Sequence, residues 1–82
     1  MKFSENLRNL RIEKKLTYEG LAKEIGYSKA IIGFWENAQK QPTMDALIRL
    51  ADFFNVSIDY LVGREDESGR KIYNTKGDIN FN

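Results

Sequence analysis

The sequence predicts an all-α fold of five short helices, and three observations carry that expectation. Apolar residues recur at helical spacing through most of residues 3–63. A hydroxyl residue stands ahead of each periodic stretch: Ser4, Thr17, Ser28, Thr43 and Ser57. Gly26, Pro42 and Gly63 then punctuate the places where one helix must stop or the next begin. Residues three and four apart share a helix face, so such spacing gives each segment one side to bury. A Ser or Thr before the first turn accepts from a backbone N–H that has no partner within the helix.

In the first segment Phe3, Leu7 and Leu10 follow i, i+4, i+7, and Ser4 is the expected cap; the helix should stop near Lys15. Thr17 caps a second, shorter helix with Leu21, Ala22 and Ile25 on its apolar stripe. Gly20 occupies the position where a capping box would hold Glu or Gln, and Gly26 offers a left-handed end. Ser28 starts a third helix running to about Asn37. Gln39–Pro42 is a loop. A fourth helix, Met44–Phe54, aligns Leu47, Leu50, Ala51 and Phe54, and Ser57 caps a fifth over Ile58–Val62 that Gly63 ends. Residues 64–82 differ in kind. Arg64–Arg70 is a charged linker, and Ile72, Tyr73, Ile79 and Phe81 around Asn74–Gly77 fit a small hairpin that needs the domain body or a second copy to pack on. The expected division is residues 1–63 as the folded unit and residues 64–82 as linker and tail, a candidate dimerisation hairpin.

Composition narrows the function. Eighty-two residues make one small domain with a thin core. The absence of cysteine rules out disulfides and thiolate metal sites, and the absence of histidine removes the commonest general base and metal ligand. With no phosphate-cradling glycine loop and no carboxylates at metal spacing, the sequence predicts neither an enzyme nor a cofactor. Met1–Ser4 is too short and polar for a leader, and no apolar run approaches the ~20 residues that span a bilayer, so a cytoplasmic protein is expected. The net charge of +1 conceals an asymmetry. Residues 1–44 carry eight Lys or Arg against five Glu, whereas residues 45–82 carry five against seven acids.

The basic half holds a short helix, a glycine turn and a Ser-capped helix, which are the parts of a helix-turn-helix. At 100° per residue, Ile31, Ile32 and Trp35 fall on one face of the third helix. Lys29, Ala30, Gly33, Phe34 and Asn37 fall on the other. That outer face offers a cation, an amide, two residues with little or no side chain and an aromatic ring. A helix pressed into a DNA groove needs small residues for close approach and a few long or apolar groups that reach base edges.

The ordered set Leu7-x-x-Leu10-Arg11, Leu16-Thr17-x-Glu19-x-Leu21-Ala22, Ile25-Gly26-x-Ser28, Ile32-x-x-Trp35-Glu36-Asn37, Pro42-Thr43, Leu50-Ala51 and Val56-Ser57-x-Asp59-Tyr60-Leu61-x-Gly63 resembles the phage-repressor-like Xre/Cro/CI family of helix-turn-helix domains, over residues 3–63. The resemblance implies a lambda-repressor-like five-helix fold and a sequence-specific regulator of transcription, a repressor acting as a homodimer on double-stranded DNA. It implies that Lys29, Ala30, Gly33 and Phe34 read bases, that Thr17, Tyr18, Ser28, Asn37 and Lys40 hold phosphates, and that Arg11 and Glu36 form a structural ion pair. Tyr18 stands where many members have Gln, and Ala38 replaces the customary Gly after Glu-Asn.

Each assignment has a plainer counterpart. Lys29 is equally a phosphate contact or a solvated lysine, and Gly33 has the alternative of a merely tolerated glycine, although the ~1 kcal/mol cost of a mid-helix glycine favours a close-approach role. Tyr18 lies in phase with Leu21, Ala22 and Ile25, which points to partial burial. Tyr18 and Phe34 together keep open a second reading, a protein-interaction module of the same fold that docks a regulatory partner on the third helix.

Overall fold

The computed structural model describes residues 2–65, and these form five helices: α1 (Phe3–Glu13), α2 (Tyr18–Ile25), α3 (Lys29–Glu36), α4 (Met44–Phe54) and α5 (Ile58–Leu61). The expected linker beyond Glu65 and the hairpin around Asn74–Gly77 lie outside the described residues. The core gathers one stripe from each helix: Phe3 and Leu7, then Leu21, Ala22 and Ile25, then Ile32 and Trp35, then Ala46, Leu50, Ala51 and Phe54, and finally Leu61. Full burial of a Leu or Phe side chain contributes roughly 1.5–3 kcal/mol each. Trp35 sits at the centre, edge-on to Phe3 at 6.2 Å between ring centroids and tilted against Tyr27 at 5.3 Å. Among the described residues no helix is long and apolar enough to cross a membrane.

Three of the four expected caps form, and Thr43, the expected start of α4, caps it as well. The side chains of Thr17, Ser28, Thr43 and Ser57 accept from the backbone N–H of Gly20, Ile31, Ala46 and Tyr60. Ser4 does not cap α1. The helix begins two residues earlier, with Lys2 in the cap position and no side-chain cap there, and the Ser4 hydroxyl instead donates to the carbonyl of Trp35. The reason is burial: Phe3 must lie on the same face as Leu7 to reach Trp35, so it is drawn into the first turn.

All five helices end alike. One residue turns left-handed, and the N–H of the residue after it bonds a carbonyl five positions back, which satisfies an end carbonyl. These bonds run from Leu16 to Arg11, Tyr27 to Ala22, Gln39 to Phe34, Val56 to Ala51 and Arg64 to Asp59. The left-handed residues are Lys15, Gly26, Ala38, Asn55 and Gly63. Only two of the five are glycine, so α1 and α3 stop under steric cost. Lys15 and Ala38 sit at φ near 57° and 58°, which disfavours any residue with a Cβ. The end of α1 accordingly falls at Glu13, with the left-handed turn at Lys15, near which the helix is expected to stop.

Ala38→Gly should therefore stabilise the protein. Relief of the left-handed Cβ clash, roughly 1–2 kcal/mol, exceeds the ~0.4–1 kcal/mol that glycine's extra unfolded-state freedom costs. A net gain of about 0.5–1 kcal/mol is expected, raising the thermal midpoint by several degrees, and calorimetry reads it directly.

Candidate nucleic-acid interface

The helix-turn-helix is α2, the turn Gly26–Ser28 and α3. Gly26 at φ 77° makes the turn compact, and Ser28 starts α3 two residues later. Two networks fix these helices to the rest of the domain.

The first is centred on Glu36, the last residue of α3. Its side chain is 0% exposed, and a buried carboxylate requires paired donors. Arg11 supplies two of them: Nε to Oε2 at 2.6 Å and Nη2 to Oε1 at 3.0 Å. Its third contact, Nη1 to the Leu16 carbonyl at 2.8 Å, holds the connection from α1 to α2. The Glu36 hydrogen bond, against the opposing pull of burial and together with the Glu36 charge, raises the Arg11 pKa above its ordinary value. Arg8 adds a looser contact, Nε to Oε1 at 3.4 Å and Nη2 to the Glu36 carbonyl at 3.2 Å. Sequence reading missed Arg8. The available signal was its place three residues before Arg11, on the same helix face.

The second network holds the turn from behind. The Tyr27 hydroxyl donates to Asp45 Oδ2 at 2.6 Å, Arg49 Nε lies 3.1 Å from the same oxygen, and Arg49 Nη1 donates to the Ile25 carbonyl at the end of α2. The guanidinium also sits 5.6 Å from the centre of the Tyr27 ring. The Tyr27 hydrogen bond, with help from Arg49, holds the Asp45 carboxyl below its usual range. The Asp45–Arg49 pair has a sequence signal in its i, i+4 spacing on α4, whereas Tyr27 has none, because it is distant from Asp45 in the chain.

The outer face of α3 emerges largely as the wheel predicts. Lys29, Ala30 and Asn37 are exposed, and Phe34 is 37% exposed; Ile32 and Trp35 are buried, and Ile31 is half-buried. Lys40 Nζ stands 5.2 Å from the centre of the Phe34 ring, and the N–H groups of Gln39 and Lys40 both bond the Phe34 carbonyl. The loop after α3 thus places an ammonium beside the exposed ring. The Asn37 amide donates to the Gly33 carbonyl at 2.9 Å, which commits one of its two amide hydrogens to its own helix. Thr17 and Ser28 use their oxygens as caps and retain hydroxyl hydrogens to donate. A shallow groove between the starts of α2 and α3 is lined by Arg11, Thr17, Tyr18, Glu19 and Lys29. Tyr18 is half-buried there, with the Arg11 guanidinium 4.7 Å from its ring centre.

Known proteins share this architecture. A family model described as Helix-turn-helix matches residues 7–61. The HTH-type transcriptional regulator YobD of Bacillus subtilis is 40% identical over 70 residues, covering 85% of this chain and 62% of its own length. The chain covers a smaller share still of the other curated relatives it matches. Among solved structures, the P22 c2 repressor protein in complex with a synthetic operator superposes with a TM-score of 0.69 at 30% identity, over 72% of this chain and 89% of that one. The restriction-modification controller protein C.AhdI of Aeromonas hydrophila gives 0.68 at 30% identity, over 73% and 91%.

The two networks give separable expectations. Arg11→Met leaves the Glu36 carboxylate buried with only Arg8 nearby and should cost about 3–5 kcal/mol of stability. Arg8→Ala, whose side chain is half exposed, should cost about 1 kcal/mol or less, and urea denaturation separates the two. For Asp45 the sign follows from its lowered folded pKa. Its contribution is present above the unfolded value of about 3.9 and disappears as pH falls through the folded one. Asp45→Asn should flatten the acid limb of the stability profile below about pH 4 and leave the pH 5–8 region unchanged, as thermal midpoints measured across pH will show.

Proposed function

The chain belongs to the Xre/Cro/CI-like helix-turn-helix family, and on that footing we propose that it is a sequence-specific, double-stranded DNA-binding regulator of transcription, a cytoplasmic repressor that inserts α3 into the major groove. The observation that carries the reading is the shared surface of α2 and α3. Both capped N-termini, with Thr17 and Ser28, open beside a groove that also holds Lys29, while Ala30 and Phe34 stand exposed along α3. Helix N-termini offer backbone N–H groups and positive dipole ends to phosphate oxygens. Lys29 suits the acceptors of guanine, and Phe34 suits a thymine methyl. Tyr18, Asn37 and Lys40 flank this reading row as phosphate contacts.

Residues 1–63 supply the DNA-binding unit, and two copies bind a near-palindromic site with their third helices about 34 Å apart. The contact between copies uses the end of α5, the segment 64–82, or both. The observation favouring a different reading is Phe34: an exposed aromatic ring on the same face suits a protein partner as well as a groove. Salt separates the two, because DNA binding weakens steeply through counterion release and an apolar contact does not.

Selection from a random duplex pool at moderate salt is expected to enrich a near-palindromic motif. With that motif in hand, Lys29→Ala should change the preferred bases, while Lys40→Ala should weaken all duplexes alike and reduce the salt slope by about 1. A folded protein that retains no duplex sinks the DNA reading and favours the protein-docking one.

A further inference from the structure

Gly33 has a neighbour that explains it. A Cβ at this position would lie 3.3 Å from Tyr18 Cε2 and 3.7 Å from Cδ2, so a side chain at 33 would press on the Tyr18 ring and shift it by a few tenths of an ångström. Lys29 and Gly33 are one turn apart on α3, and Tyr18 lines the groove with Lys29 as well as touching the Gly33 position. The ring therefore lies along the Lys29–Gly33 row of α3. Its orientation is fixed from a second direction by Arg11, whose guanidinium sits 4.7 Å from the ring centre and is itself locked to buried Glu36. Among the described residues the Tyr18 hydroxyl has no hydrogen-bond partner. A half-buried ring held by two neighbours, with its polar end unspent, is a preorganised recognition group.

We propose that Tyr18 is a specificity-determining residue that reads a base edge in place of a side chain at position 33, and that Gly33 acts through it by leaving room for the ring. This rests on the DNA-binding reading above and goes beyond it. The row that faces the bases is then built from two helices, with Lys29, Ala30 and Phe34 from α3 and the Tyr18 phenol from α2. Gly33 makes no base contact of its own, and Tyr18 does more than hold a phosphate.

A double-mutant cycle on the selected duplex tests this, using Gly33→Ala, Tyr18→Ala and the pair, together with Tyr18→Phe. Fluorescence-anisotropy titrations give the affinities, and thermal unfolding confirms that each variant is folded. Gly33→Ala is expected to weaken binding about threefold or more in the parent, where the new methyl displaces the ring, and to have no effect once Tyr18 is Ala. The same fold-change in both backgrounds would mean that Gly33 meets DNA directly, and the proposal falls. Tyr18→Phe keeps the ring and the packing and removes only the hydroxyl. It is expected to weaken the selected duplex about two- to tenfold while an unrelated duplex binds as before. An equal loss on both duplexes would make the phenol a phosphate contact and overturn base reading, and so would no loss at all. If the parent itself retains no duplex, the DNA reading fails and takes this inference with it; a parent that selects a motif while the cycle is additive sinks the inference alone.

Discussion

The domain is organised around one buried carboxylate. Glu36 has no access to water, so its charge must be met by protein donors, and Arg11 meets it with two. That pairing constrains far more than two side chains. It fixes the end of α3 against α1. Through the Leu16 carbonyl it fixes the turn that delivers the chain into α2, and through the face of the guanidinium it fixes the Tyr18 ring. Arg8, one turn earlier, reaches both the carboxylate and the carbonyl of Glu36, so α1 is gripped at two heights. A hydrophobic core tolerates small slips of one helix on another. A bidentate ion pair in a dry site does not, because displacement by an ångström leaves a charge unpaired.

The opposite side of the helix-turn-helix is held by polar contacts of another kind. Tyr27, Asp45 and Arg49 join the turn and the end of α2 to α4 at an exposed edge, where each contact is individually weak. Their value is geometric. The angle between α2 and α3 is set by Gly26 and by the burial of Leu21, Ala22, Ile25 and Ile32, and the edge network keeps the turn from swinging about that packing. A recognition surface gains affinity when it is ordered before binding, since less motion remains to be lost.

Helix starts were more legible in the sequence than helix ends. A start is a local event: Thr17, Ser28, Thr43 and Ser57 each satisfy an N–H three residues away, and residue type alone announces it. Ser4 misled because Phe3, which precedes it, had a distant partner in Trp35. Glycine announces an end at Gly26 and Gly63, but Lys15, Ala38 and Asn55 turn left-handed as well, under the demands of the chain that follows. Ala38 was visible only as a departure from a family pattern. In the candidate site, the outward face of α3 followed from its period, since burial of Ile32 and Trp35 leaves Lys29, Ala30 and Phe34 no other side. The contact of Tyr18 with the Gly33 position was not legible. It joins two helices through the absence of a side chain, and an absence has no periodicity.

The sparseness of the surface has its own consequence. Around the starts of α2 and α3 the groove carries Arg11 and Lys29 against Glu19, and Arg11 is already spent on Glu36. Counterion release scales with the number of phosphates neutralised, so the salt dependence of the proposed complex draws on the exposed lysines of both copies, Lys29 and Lys40 in each, rather than on one copy alone. Discrimination is left to base contacts, and those are few and short-ranged on one helix face. Linking two such faces in one assembly makes the second half-site an intramolecular event, which multiplies both affinity and discrimination without new cations. On a near-neutral chain with a sparsely charged face, the pairing proposed above is where such an assembly would add most.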